Sequence, residues 1–249
     1  MGVINITPNS FSDGGELSSA DKILTRLTQF GPIDAVDIGA ESTAPMNQAI
    51  SAEEEWERLK VILPVIRSLN ITIGLDTYHV ETISQMVRWW KDQGLTQQLI
   101  WNDVSGKFDD AVKDYLKEGD QFHYVFCHNL ALTRESTIKH MDHVSENLDL
   151  PSYFAGKAQP RVIFDPCLGF SKSYEQNWWI LENFHEVQKT VGHDRWLLGF
   201  SRKSFLRKKY DLTLERKEEL DLIHVEEFKR LSKTWKGEVW LRTHRPELT

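Results

Sequence analysis

The stretch "IFDPCLGFSKS" (residues 163–173) begins with two apolar residues and then places Asp165 where a β-strand is expected to end. Similar arrangements occur in "VDIGAEST" (36–43), "IGLDTY" (73–78) and "IWNDVSG" (100–106). A single aspartate in such a place is typical of a helix N-cap. A series of polar residues at the ends of apolar strands instead indicates one shared site.

These stretches belong to a regular alternation of strand-like and helix-like segments. Eight β-rich runs cover residues 1–7, 35–40, 72–77, 99–104, 123–128, 162–167, 196–201 and 239–243. Helical patterns lie between them, near 19–30, 52–68, 80–93, 109–118, 135–147, 175–190 and 215–235. This alternation predicts an α/β fold with a parallel sheet covered by helices. Eight strands favour a (β/α)8 TIM barrel, and an open doubly wound sheet is the alternative.

The length and composition restrict the domain organisation and the class of partner. A chain of 249 residues matches one (β/α)8 barrel of about 250 residues, so we expect a single domain over residues 1–249. With 37 acidic and 30 basic residues the net charge is −7, which favours neither nucleic acid nor a membrane surface as partner. The two cysteines lie in apolar runs, and neither a signal-peptide pattern nor an apolar run of 18 residues occurs. We therefore expect free thiols and a cytoplasmic protein.

In a TIM barrel the carboxyl ends of the strands form the active face. The polar residues expected there are Asn5, Asp37, Asp76, Asn102, His128, Asp165, Ser201 and Arg242. Carboxylates and amides together suit a flat heterocycle that carries N–H donors and ring acceptors. Lys203, Arg242 and His244 add positive charge near strands 7 and 8, where this fold often holds phosphate. Asn5, together with phosphate oxygens, is a candidate ligand for Mg²⁺.

Seven segments of the chain resemble, in order, the dihydropteroate synthase family. They are "MGVINITPNSFSDGG" (1–15), "DIGAESTAP" (37–45), "GLDTYHVE" (74–81), "IWNDVSG" (100–106), "FDPCLGFSK" (164–172), "GFSRKSFL" (199–206) and "LRTH" (241–244). The resemblance implies a (β/α)8 barrel that joins 6-hydroxymethyl-7,8-dihydropterin diphosphate to 4-aminobenzoate. The implied products are 7,8-dihydropteroate and pyrophosphate, in folate biosynthesis, with Mg²⁺ as the cofactor.

The resemblance also implies a role for individual residues. The pterin-recognition set is Asp76, Asn102, Asp165 and Lys203. Arg242 is expected to stack on the pterin and reach toward phosphate beside His244, so that Lys203, Arg242 and His244 are the candidate catalytic residues. Asn5 is the implied Mg²⁺ ligand. The residues near the aminobenzoate position are Thr43, Phe170 and Ser204, and those on the first loop are Phe11 and Asp13.

Some positions depart from the family's usual residues. Ala44 stands in place of an arginine, Asn9 in place of an aspartate, and Cys167 in place of a glycine. The chain starts at strand 1 and stops five residues after His244, so the barrel is expected to lack the lead-in segment and the final helix. We therefore expect a monomer or a weak, altered homodimer. Two alternatives stay open: a pterin-binding paralogue without turnover, and a pterin-dependent methyltransferase.

Overall fold

The computed structural model describes residues 1–6, 20–41, 49–129 and 149–249. Eight parallel strands form one sheet in the order of the sequence. Their bounds are β1 (Gly2–Asn5), β2 (Ala35–Gly39), β3 (Thr72–Asp76), β4 (Leu99–Asp103), β5 (Phe122–Cys127), β6 (Val162–Asp165), β7 (Arg195–Leu198) and β8 (Glu238–Leu241). The sheet curls until its edges meet, because Gly2 bridges to Thr243 and Val3 N donates to Thr243 O at 3.0 Å. The predicted α/β sheet of eight parallel strands is confirmed.

Ten α-helices lie within the described ranges, mostly between consecutive strands. They are α1 (Ala20–Gln29), α2 (Ala52–Leu59), α3 (Leu63–Ser68), α4 (Val80–Asp92), α5 (Asp110–Lys117), α6 (Leu150–Phe154), α7 (Tyr174–Glu182), α8 (Phe184–Val191), α9 (Ser204–Tyr210) and α10 (Lys217–Leu231). No helix in the described part of the chain is long and apolar enough to cross a membrane.

Two of the predicted helices are each broken into a pair. The helix expected over 52–68 ends at Leu59 and restarts at Leu63, with Pro64 in the first turn of α3, where a proline is tolerated because its missing N–H would be unpaired anyway. The helix expected over 175–190 is interrupted at Asn183, which ends α7 and precedes α8. The helix expected over 135–147 lies outside the described residues. Helices α6 and α9 were not predicted.

Side-chain caps fix several helix starts and so the loops that precede them. Ser51 Oγ accepts a hydrogen bond from Glu54 N at 3.1 Å, and Asp109 accepts from two backbone N–H groups at the start of α5. At the start of α7, Ser173 and Gln176 form a reciprocal capping box. Each cap satisfies N–H groups that the helix leaves unpaired and contributes about 1 kcal/mol. The cap at Ser173 ends the loop that follows β6.

Apolar side chains form two clusters, one on each face of the sheet. The larger lies between strands and helices and includes fully buried Trp90, Trp101 and Trp196. The smaller lies on the face that also carries the polar strand-end residues; its buried members are Ile100, Val125, Cys127, Ile163, Cys167 and Leu197. Because side chains alternate along a strand, the inside of the barrel has an apolar floor with polar groups above it.

The last strand shows how one side chain reaches this interior. Trp240 packs against the smaller cluster, whereas Leu241 belongs to the larger one. By the same alternation, Arg242 points to the interior from the carboxyl end of β8. Thr243, one residue further on, is buried and lies 3.4 Å from His224 of α10.

Candidate active site

One pocket opens at the carboxyl ends of the strands and encloses a volume of ≈ 80 Å³. Six predicted site residues line it: Asp76, Asn102, Asp165, Phe170, Lys203 and Arg242. The remaining lining residues are Val104, Cys127, Cys167, Leu168 and Gly199. Residues separated by more than 160 positions along the chain thus share one cavity, and their individual roles remain predictions.

One side of the pocket is held together by ion pairs, and we name Asp37, Asp76, Asn102 and Arg242 the ion-pair wall. Arg242 Nε donates to Asp37 Oδ2 at 2.5 Å, and its Nη2 donates to Asp76 Oδ2 at 2.6 Å. Asn102 Nδ2 also donates to Asp37 Oδ2, at 3.0 Å. One guanidinium therefore joins strands β2 and β3 to the end of β8 through charge-assisted hydrogen bonds.

Asp37 is the residue of this wall that sequence reasoning did not assign to ligand binding. It is fully buried and lies opposite Gly74 on β3. A side chain at position 74 would collide with Asp37 Oδ1, so the glycine makes room for the carboxylate. Asp37 Oδ1 has no hydrogen-bond partner in the described structure. The sequence feature that could have identified Asp37 as a site residue is its position, as a carboxylate, in the middle of the apolar strand "AVDIG".

The charges in the ion-pair wall depend on pH. Burial raises the pKa of Asp76 to about 7, Arg242 opposes this increase, and Asp37 adds to it. Burial also disfavours the charge of Arg242, but Asp37 and Asp76 outweigh it and raise the pKa of the guanidinium. Arg242 therefore stays charged, while Asp76 titrates near neutral pH.

Another part of the pocket is built around a turn, and we name Cys127, Asp165, Cys167 and Lys172 the turn wall. Asp165 Oδ1 accepts a hydrogen bond from Cys167 N at 2.6 Å, and Cys127 Sγ lies 3.9 Å from Asp165 Oδ2. Burial raises the pKa of Asp165, whereas the bond from Cys167 N and the charge of Lys203 lower it. The Asp165 carboxylate is thus held by its own loop.

A buried lysine organises the rest of this loop. Lys172 Nζ donates to the carbonyl oxygens of His128 at 2.9 Å, Phe170 at 3.1 Å and Cys167 at 3.3 Å. Burial lowers the pKa of Lys172 to about 8. Cys167 and Ser171 adopt left-handed backbone, with φ of 54° and 52°, which is unfavourable for residues other than glycine. Lys172 therefore acts as an internal support that holds a strained turn.

Lys203 spans the top of the turn wall. Its Nζ lies 4.1 Å from the centre of the Phe170 ring, a cation–π contact. Gly169 has φ of 83°, and a side chain there would crowd Lys203 Cδ. Burial lowers the pKa of Lys203. Ser204, the next residue, is exposed at the start of α9 and does not line the pocket.

The expectation that His244 adds positive charge is wrong. Its Nδ1 lies 3.0 Å from Ser201 Oγ, and burial together with Arg202 and Arg242 lowers its pKa well below 6.5. Arg202 itself is engaged by Asp221 of α10, through two hydrogen bonds of 2.8 and 2.7 Å. Burial and the two neighbouring guanidinium groups therefore disfavour a positive charge on His244.

The predicted metal ligand lies at the end of β1. Asn5 Oδ1 and Asp76 Oδ2 both lie 3.6 Å from the point where a side chain on Gly39 would begin. Within the described ranges, no group of three or more His, Cys, Asp or Glu residues is placed to hold a metal ion. The predicted residues Phe11, Asp13 and Thr43 lie outside the described residues, as do Asn9 and Ala44.

Comparison with known proteins matches this chain to one family. The model of the pterin binding enzyme family matches residues 1–227. A dihydropteroate synthase of Clostridium beijerinckii is 31% identical over 222 residues, covering 86% of this chain and 78% of the relative.

Solved structures share the fold. The Yersinia pestis dihydropteroate synthase, in a sulfonamide drug complex, has a TM-score of 0.76 at 23% identity and covers 100% of this chain and 89% of its own. The Xanthomonas albilineans dihydropteroate synthase with 4-aminobenzoic acid has a TM-score of 0.71 at 24% identity. The match covers 100% of this chain and 88% of the Xanthomonas chain. At such identities the structures establish the fold alone, whereas the sequence matches establish the family. The chain belongs to the pterin-binding enzymes, in the dihydropteroate synthase family.

Proposed function

We propose that this chain is a dihydropteroate synthase. It condenses 6-hydroxymethyl-7,8-dihydropterin diphosphate with 4-aminobenzoate and releases 7,8-dihydropteroate and pyrophosphate, in folate biosynthesis. The observation that carries the proposal is the convergence of Asp76, Asn102, Asp165, Lys203 and Arg242 on one pocket at the carboxyl ends of the strands. Membership of the family supports the same reaction.

The pocket offers the hydrogen-bonding groups that a pterin ring needs. A carboxylate accepts N–H bonds, as Asp165 and Asp76 would from the ring, while the Asn102 amide both donates and accepts. Lys203 supplies a donor for a ring acceptor. Since burial strengthens electrostatic interactions, each of these contacts discriminates against a ring with a different donor pattern.

The reaction itself needs little acid–base catalysis. Loss of pyrophosphate leaves a resonance-stabilised pterin cation, and the arylamine then attacks its methylene carbon. The proposed catalytic residues Lys203, Arg242 and His244 stabilise charge on the departing diphosphate, the first two as cations and His244 as a neutral N–H donor. The carboxylates of Asp76 and Asp165 balance the positive charge on the ring.

The aminobenzoate side of the site is proposed to include Phe170. Its ring, with Lys203 Nζ 4.1 Å from its centre, offers an apolar surface next to a cation, which suits an aromatic carboxylate. The other residues proposed for this side are Thr43 and Ser204, with Phe11 and Asp13 on the first loop.

Mg²⁺ is proposed as the cofactor, held by Asn5 together with diphosphate oxygens. The donor set fits this ion, because Mg²⁺ takes only one or two protein oxygens when phosphates and water complete its shell. When bound, the ion would neutralise charge on the diphosphate. The neighbouring Asp76 carboxylate, on the far side of Gly39, adds to the negative potential at this place.

The test is a direct assay with the purified chain, Mg²⁺, the pterin diphosphate and 4-aminobenzoate. We expect dihydropteroate and pyrophosphate to appear in equal amounts, with omission of 4-aminobenzoate as the control. Pterin binding without pyrophosphate release would favour the paralogue that lacks turnover. Transfer of a methyl group from a folate donor would favour the methyltransferase.

We also propose a cytoplasmic protein that is a monomer or a weak homodimer. Both cysteines are free, which is typical of reducing compartments. The large apolar side chain that α10 exposes is Leu222, and an isolated residue of this kind does not make a stable interface. Light scattering at micromolar concentration tests the oligomeric state, and a tight dimer would contradict this part of the proposal.

A further inference from the structure

Two cysteines lie next to the Asp165 carboxylate inside the pocket. Cys127 ends β5 and is the register partner of Asp165 on β6, and Cys167 follows Asp165 by two positions. Cys127 Sγ lies 3.9 Å from Asp165 Oδ2, and Cys167 N lies 2.6 Å from Asp165 Oδ1. Both cysteines belong to the same apolar cluster and line the same pocket. The side chains of Cys127 and Cys167 also interact directly, so the two thiols are neighbours in the pocket.

The backbone at Cys167 is unusual for a residue with a side chain. Its φ of 54° lies in the left-handed region, which a glycine adopts without strain, as Gly169 does with φ of 83° in the same turn. Strained non-glycine residues that persist in a binding pocket point to a use for the side chain.

The surroundings of the two thiols differ. The backbone of Cys167 lies beside one ammonium group, since Lys172 Nζ donates to Cys167 O at 3.3 Å. Burial lowers the pKa of both Lys172 and Lys203, and Cys167 is the neighbour that opposes this most. The adjacent Cys167 and burial raise the pKa of Cys127 well above 9, which disfavours its thiolate, so Cys127 is a poor candidate for the first attack.

We propose that Cys167 and Cys127 form a reversible thiol-modification site that takes low-molecular-weight disulfides and, when modified, closes the pocket to pterin. Only the effect on pterin rests on the proposed function. Disulfides in reducing compartments are usually transient and regulatory, so free thiols in the resting protein agree with such a site.

The chemistry is a thiol–disulfide exchange in two steps. The Cys167 thiolate attacks one sulfur of a disulfide RSSR, which forms a mixed disulfide at Cys167 and expels RS⁻. Cys127 then attacks Cys167 Sγ, forms the Cys127–Cys167 bond and expels the second RS⁻. The two protein thiols are oxidised, the reagent is reduced to two RSH, and the two thiol protons end on those products. Asp165 Oδ2, the acceptor nearest Cys127 Sγ, is placed to receive the proton from Cys127.

Either product changes the pterin site. The mixed disulfide places a new group among the side chains that line the pocket, where the pterin is proposed to bind. The internal disulfide draws Cys127 Sγ away from Asp165 and ties the β6 loop to β5. We therefore expect modification to weaken pterin binding by at least about tenfold, the cost of one lost hydrogen bond to a charged group.

The first experiment treats the reduced, folded chain with 2-hydroxyethyl disulfide, a small neutral probe, and measures the intact mass. We expect the wild-type chain to lose two hydrogens without a lasting adduct. Cys127→Ser should keep one 2-hydroxyethylthio group, which peptide mapping assigns to Cys167. Cys167→Gly, which suits the left-handed backbone, should remain unmodified. An unchanged mass of the folded wild type, or stable adducts on both cysteines, would overturn the site.

The second experiment measures binding of the pterin diphosphate before and after this treatment. We expect the loss of affinity in the oxidised chain to be restored by dithiothreitol, and bound pterin to slow the modification. Equal pterin affinity of oxidised and reduced chains would overturn the proposed closure. If the reduced chain binds no pterin, the proposed function fails, while the mass measurement still decides the thiol chemistry.

Discussion

The two walls of the pocket present similar carboxylates but hold them in different ways. In the ion-pair wall, Arg242 reaches Asp37 and Asp76, which lie 205 and 166 positions away along the chain. In the turn wall, Asp165 is held by Cys167 N, two positions away. The first wall therefore forms only when the ends of the sheet meet, whereas the second depends on a local turn. We expect changes in the first to affect folding and changes in the second to affect mainly binding.

The largest effect is expected for Arg242→Met at pH 8. The variant leaves Asp37, which is fully buried, and Asp76 without their shared counter-charge. Removing one partner of a buried ion pair costs about 3 kcal/mol or more. We expect a loss of this size in the free energy of unfolding, measured with urea, and a smaller loss at pH 6 because Asp76 then takes up a proton.

Arg216→Met is the matched control for this prediction. Arg216 pairs with Glu219 at the start of α10, and both side chains are about half exposed, at 55% and 48%. An exposed pair contributes less than about 1 kcal/mol, so the control should lose less stability and keep pterin affinity. Equal losses of unfolding free energy in both variants would show that closure of the barrel does not depend on the ion-pair wall.

Asp165→Ala tests the turn wall. Removing the carboxylate leaves pterin N–H donors unpaired in a site of little water, at a cost of about 1.5–3 kcal/mol, or roughly ten- to a hundredfold in affinity. Because the turn is also held by Lys172 through three carbonyl oxygens, we expect the free energy of unfolding to change much less. Isothermal titration with the pterin diphosphate measures the effect, and unchanged affinity would remove Asp165 from the site.

The pH dependence of stability isolates Asp76 in the ion-pair wall. The folded chain raises the pKa of Asp76 to about 7, while the unfolded chain releases this proton near pH 4. Between these values the folded state binds more protons, so the contribution of Asp76 to stability falls as pH rises from about 4 to 7 and is constant above. Its slope reaches at most about 1.4 kcal/mol per pH unit.

Asp76→Asn should remove this slope. Burial also raises the pKa of Glu55, Asp103 and Asp165, but these groups remain in both proteins and cancel in the comparison. Urea unfolding at pH 5, 6 and 7 gives the two slopes. A wild-type slope equal to that of the variant would mean that Arg242 keeps Asp76 ionised throughout this range.

The sequence predicted strand-end residues of both walls, but it did not predict the contacts that hold the ion-pair wall together, for a physical reason. Asp165 follows an apolar strand and precedes turn residues, so its position at a strand end is encoded locally. The partner of Asp37 is not encoded in this way, because Arg242 reaches it only through the closure of the barrel. The predicted helix over 52–68 failed for a local reason: Pro64 marks the restart at α3, and the apolar periodicity on both sides concealed it.

The charge of His244 could not be predicted from its neighbours in sequence. Arg242 nearby suggested a cationic cluster, but burial and the approach of Arg202 from the β7 loop lower the pKa of His244 well below 6.5. Both causes arise from tertiary packing. Positions at strand ends could therefore be predicted from the alternation of residues, whereas protonation states required the folded arrangement.

The smallest expected effect is a difference in unfolding free energy between variants of the two cysteines in the turn wall. Cys127→Gly removes a buried thiol from a strand, which costs about 1 kcal/mol for lost burial and about 0.5–1 kcal/mol for the added backbone freedom of glycine. Cys167→Gly has the same losses, but it also relieves a left-handed backbone with φ of 54°, worth about 1–2 kcal/mol. We expect Cys167→Gly to change the free energy of unfolding by less than about 0.5 kcal/mol. Cys127→Gly should lower it by roughly 2 kcal/mol, and equal losses for both would mean that the turn does not strain Cys167.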